Sequence, residues 1–124
     1  MLLPLFLALL AAQAPATPPP LPAADAADGR CMVVFAALGS RLPPEQRPML
    51  QQGVMYFAGK LRGRTASIDV AQTLVRAGHE AQAAHLSPQT DLVRCRDELQ
   101  AVSTSLGRIR AVVNPSPAPT PHRP

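Results

Sequence analysis

The chain of 124 residues has no tryptophan, one tyrosine, three phenylalanines and two cysteines, and its single lysine is Lys60. Each shortage closes a route. With so few aromatics to stack on bases and one Lys, nucleic-acid binding is not expected. Cys31 and Cys95 cannot make a four-ligand zinc site, and their spacing fits neither a C-x-x-C redox motif nor a C-x-x-C-H haem motif. No G-x-S-x-G, P-loop or G-x-G-x-x-G occurs. The acids Glu45, Asp69, Glu80 and Asp91 are scattered, and Asp97 and Glu98, adjacent on a helix, point apart, so no paired acid/base site is read. His79 and His85 would stand about 240° apart around a helix, not stacked as an i, i+4 metal pair. His85 reads as structural near a helix end, and His122 sits in a tail without fixed neighbours. The expectation is a protein that is not an enzyme, with no cofactor and no metal.

What is present begins with export. Leu2 to Ala12 is apolar, Leu-rich and uncharged. It is far short of the roughly 20 residues that span a bilayer, so it reads as the apolar region of a secretory signal. Ala14-Pro15-Ala16 and Ala12-Gln13-Ala14 both fit an A-x-A cleavage pattern, and a cut after Ala16 keeps Pro15 clear of the scissile bond. The residues before the apolar run carry no Lys or Arg, which leaves an uncleaved anchor as the alternative. A periplasmic or secreted location follows. In an oxidising compartment two cysteines in a small domain read as one disulfide, with two free buried thiols as the alternative.

Prolines mark the flanks, with five in 15–22 and five in 115–124. Those stretches read as extended, mobile segments. The expected organisation is a signal peptide over 1–16, a Pro/Ala-rich linker over 17–27, a helical disulfide domain over 28–113 and a Pro-rich disordered tail over 114–124. No stretch alternates with period 2, so no sheet is expected. The apolar period is helical throughout, and the fold class is all-α, a four-helix domain with one disulfide.

Asp28 is positioned to cap a first helix with Cys31, Val34, Phe35 and Leu38 on one stripe, ended by Gly39. After a turn at Pro43-Pro44, Pro48 opens a second helix that buries Leu50, Val54, Phe57 and Leu61. Gly53 beside them lets a neighbour approach, and Gly63 caps the end. Ser67 caps a third helix, with Asp69 in its first turn and a stripe of Ile68, Ala71, Leu74, Val75 and Gly78. Ser87-Pro88 opens a fourth, in which Leu92, Cys95, Leu99, Val102, Leu106 and Ile109 follow at alternating spacings of three and four. Both cysteines fall on an apolar stripe, so their bond would clamp the first helix to the last, with the middle pair packed against them.

Residues 88–112 would run about 37 Å, longer than the helices around them. The simplest expectation is that the end bends over its own core. Otherwise the end frays, folds onto the Pro-rich tail, or meets a partner, with Leu106 and Ile109 as the interface for a client or for a weak homodimer. The segment Lys60-Leu61-Arg62-Gly63-Arg64 places three cations at a helix end. Lys60, Arg62 and Arg64 are the candidates to contact a phosphate, a lipid head group or an acidic partner, against the plainer reading of cations on a solvated face that complement the helix dipole. A net charge of +4 and a pI near 10.0 add a general attraction to anionic envelope surfaces.

The frame of Arg30-Cys31, Gly53-x-x-Tyr56-Phe57-x-Gly59-Lys60-Leu61-x-Gly63-Arg64, Asp69 and a second Cys resembles a group of small exported bacterial helical proteins without assigned function. The resemblance covers most of 28–107 and implies a helical fold and export, with no activity. The layout of an early Cys, a central aromatic-Gly segment and a late Cys also resembles the periplasmic acid-stress chaperones. That likeness implies a protein that sheds structure at low pH to hold clients.

Overall fold

The computed structural model describes residues 16–114. The expected signal peptide, Ala16 apart, and the Pro-rich tail from 115 onward with His122 lie outside the described residues. Four α-helices and no strand form among them: α1 (Ala23–Gly39), α2 (Arg47–Arg64), α3 (Val70–Ala83) and α4 (Pro88–Val113), with a 3-10 turn at Pro44–Gln46 between the first two. The all-α class with a Cys31–Cys95 disulfide is therefore observed, with the two Cα atoms 5.6 Å apart.

The arrangement centres on α1. Helices α2, α3 and α4 each pack on it. A helix touched on several sides cannot present one simple apolar stripe. Its buried residues are accordingly mixed: Asp25, Asp28, Gly29, Cys31, Met32 and Phe35. The core joins Cys31, Met32 and Phe35 to Leu50, Phe57 and Leu61 of α2 and Cys95 of α4. Phe57 is fully buried, which contributes about 2–3 kcal/mol.

α1 starts five residues before the expected cap. Pro22 occupies the N-cap position without a side-chain bond. Ala23, Ala24, Ala26 and Ala27 are the strongest helix formers in the segment, so the helix begins as soon as the prolines stop, and the linker ends at Pro22. Asp28 is thus an interior residue of α1 and not its cap. The segment before it is extended but held: Leu21 N–H donates to Glu80 Oε1 at 3.2 Å, and the Arg76 guanidinium donates to the Pro19 carbonyl at 2.5 Å.

α2 buries Leu50, Phe57 and Leu61 as expected, but its fourth buried residue is Gly53, and Val54 is only half-buried. A Cβ on Gly53 would lie 2.9 Å from Phe35 and 3.0 Å from Leu99, so the glycine is what lets α1 and α4 close over α2. Gly63 is not the cap, because the helix continues to Arg64 and ends at Thr65. In α3 the cap is Asp69, whose carboxylate accepts from Gln72 N–H at 2.9 Å, so Ser67 lies outside the helix. Its inner face also differs from the expected one. Thr73 and Ala77 are buried while Val75 stays 53% exposed. Close approach decides this: a Cβ on Gly29 would lie 2.6 Å from Ala77 Cβ, so α1 and α3 meet through small residues and not large ones.

α3 ends in a Schellman motif. Leu86 N–H donates to the Ala81 carbonyl at 2.9 Å and His85 N–H to that of Gln82 at 3.1 Å. His85 takes the left-handed position at φ 52°, where glycine is usual. Its role is in the backbone turn, and its side chain is exposed.

Candidate functional site

Two features of the described structure carry chemistry, and both involve α4. The first is an ionic seam. Asp25 and Asp28 lie one turn apart on α1, and Lys60 and Arg64 lie one turn apart on the antiparallel α2. Arg64 Nε donates to Asp25 Oδ1 at 2.8 Å and its terminal nitrogen to Asp28 Oδ2 at 2.6 Å. Lys60 Nζ donates to Asp28 Oδ1 at 2.8 Å and to Glu98 Oε1 of α4 at 2.5 Å. The Tyr56 hydroxyl donates to the same Glu98 oxygen at 3.0 Å. The ammonium also lies 5.2 Å from the Phe57 ring centroid, within cation–π range.

A second ionic group holds the start of α4. Arg30 Nε donates to Asp91 Oδ2 at 2.9 Å, and Arg94 reaches Asp91 Oδ1 at 3.2 Å, the Ala27 carbonyl at 2.8 Å and Cys31 Sγ at 3.1 Å. Asp28 and Asp91 are both buried, and such carboxylates persist only when paired.

The electrostatics follow from these contacts. Burial works against the Lys60 ammonium, but hydrogen bonds to Asp28 and Glu98 outweigh it and hold its pKa above the ordinary lysine value. The bond to Asp28 raises Arg64 further. Burial, followed by the bond to Glu98, raises Tyr56.

The expected surface cluster of three cations is therefore divided. Lys60 and Arg64 are paired with carboxylates of their own chain, Arg64 while staying exposed in the last turn of α2. Arg62 remains exposed, with no ion pair among the described residues. What sequence reasoning missed was Asp25 and Asp28 as partners. The signal existed, in two acids one turn apart on one helix and two cations one turn apart on another. The contacts span 32 to 39 residues, which local spacing does not reveal.

The second feature is the far end of α4. This helix is 26 residues long, about 39 Å. It continues eighteen residues past Cys95. The helix does not bend back over its core as expected. Leu106 is 60% exposed, Ile109 58%, Val112 81% and Val113 69%. Val102 is half-buried at the edge of the body.

Elsewhere, an apolar groove of about 420 Å³ runs between α1, the end of α3 and the start of α4, lined by Val33, Ala37, Leu38, Ala81, Leu86 and Leu92 among others. Among the described residues no three His, Cys, Asp or Glu side chains converge as a metal-holding group, and no helix is long and apolar enough to cross a membrane. Comparison with family models, with curated proteins and with solved structures finds no match to this chain.

Proposed function

We propose that this is an exported protein that acts by contact and not by catalysis, through the apolar face at the end of α4. The observation that carries this reading is the exposure of Leu106, Ile109 and Val113 on one face of a helix whose earlier turns are fixed in the body. Leaving such side chains in water forgoes burial worth about 1.5–3 kcal/mol each. The disulfide supports an oxidising compartment. The resemblance to small exported helical proteins agrees with that placement and adds no reaction.

The test is a photo-crosslinking residue at Ile109, introduced into the chain in its exporting host. An adduct that disappears when Leu106→Glu is added supports contact through this face. No adduct from Ile109 would end the proposal.

The acid-stress chaperone is a second reading, favoured by the ionic seam alone. Lys60 and Arg64 sit one turn apart on α2 and share the Asp28 carboxylate, so one acid of α1 holds two like charges together. A chain that neither loosens nor suppresses client aggregation at pH 3 removes that reading.

A further inference from the structure

We infer that the occupant of the α4 face is a second copy of this chain, paired through an antiparallel α4–α4 seam. The inference rests on the proposal that the end of α4 is a contact face, and names what it contacts. Leu92, Cys95, Leu99, Val102, Leu106, Ile109 and Val113 alternate spacings of three and four without a break, the repeat of a two-helix seam. The first three are covered by the chain's own body: Cys95 in the disulfide, Leu99 against Gly53, Leu92 against the core. Val102 is half-buried at the edge of the body, and Leu106, Ile109 and Val113 continue the same stripe beyond it.

The geometry chooses between the two directions of pairing. The body lies on the side of α4 to which this stripe points. Two parallel copies would therefore bring both bodies into the space between their helices. Antiparallel copies place the bodies at opposite ends. In that direction Leu106 lies over the partner's Ile109, giving two apolar layers by symmetry, and the partner's Val113 meets the open edge of the half-buried Val102. The register also stops where it should. The level of Leu99, within the body, is met just past the partner's Val113, where α4 ends.

The flanking positions agree. Ser103 falls opposite the partner's Arg110, and Ser105 opposite the partner's Val112, so no like charges face each other across the seam. A seam two heptads long is below the size of obligate interfaces. The expected species is a monomer–dimer equilibrium that responds to concentration.

Sedimentation equilibrium of the chain recovered after export, disulfide intact, tests this. The expected result is a weight-average mass that climbs from one chain towards two as concentration rises, and stays at one for Leu106→Glu. A mass of one chain throughout overturns the proposal. Direction is tested by mixing Leu106→Cys with Ile109→Cys chains under mild oxidation. Antiparallel pairing links the mixture and neither variant alone, whereas self-linked Leu106→Cys chains would mean parallel pairing and overturn it. A monomeric chain whose Ile109 crosslinks to a different protein overturns the second copy while leaving the contact face standing.

Discussion

α4 begins and ends with the same pattern of apolar residues, yet its two halves live in different surroundings. From Pro88 to Leu99 the helix is bonded to α1 by Cys31–Cys95, tied through Asp91 to Arg30 and through Glu98 to Lys60 and Tyr56, and seated on Gly53. From Gln100 to Val113 no ion pair or disulfide joins it to the described body. Periodicity alone says only that a helix has an apolar side. What covers that side is decided by the contacts each turn makes with the rest of the body.

The contrast can be broken first at the disulfide. Its cysteines are 64 residues apart, and closing a loop of that size stabilises the fold by about 4 kcal/mol in the chain-entropy account. Replacing both Cys31 and Cys95 by Ala should lower the denaturation midpoint accordingly and release the first half of α4 to behave like the second. Next is Asp91→Ala. It leaves Arg30 and Arg94 without their shared carboxylate at a buried position, at a cost of about 3 kcal/mol, the low end for a broken buried pair because both guanidinium groups keep some solvent access. Chemical denaturation monitored by circular dichroism reads both.

Alkali gives a smaller effect with a defined sign. Lys60 and Tyr56 have folded-state pKa values raised above their ordinary ones. Their contribution to stability is complete below the unfolded values near 10 and is lost as pH rises through the folded values. The thermal midpoint should hold up to about pH 10 and then fall, with a shallower fall in Glu98→Gln, which weakens the hydrogen bonds and charge responsible. The smallest effect belongs to the free half. Leu106→Glu should change monomer stability by no more than about 0.5 kcal/mol, as expected of an exposed site. A large loss would mean that the overhang is covered after all.

The difference between the halves also separates what the sequence made legible from what it did not. Cys31 and Cys95 on apolar stripes, Gly53 at a close approach, and Pro88 at a helix start are local signals, and the structure uses each of them as read. Asp28 was the misleading residue: an acid just before an apolar run looks like a cap, but the alanines upstream extend α1 through it. Its actual partners lie on α2 and cannot be found by spacing within α1. α3 shows another limit. Apolar size points to Val75, whereas α1 accepts Thr73 and Ala77 because Gly29 lets the backbones meet. Lys60 and Arg64 have the local appearance of cations at a helix C-terminus, and only the antiparallel placement of α1 converts them into the ends of an internal seam.

Hydrogen exchange along α4 at low and high protein concentration tests the central claim most directly. The account predicts that amides around Cys95 are protected equally at both concentrations, while those from Val102 to Val113 exchange fast when dilute and gain protection when concentrated. Equal protection of both halves at low concentration, or no gain at high concentration, would contradict it.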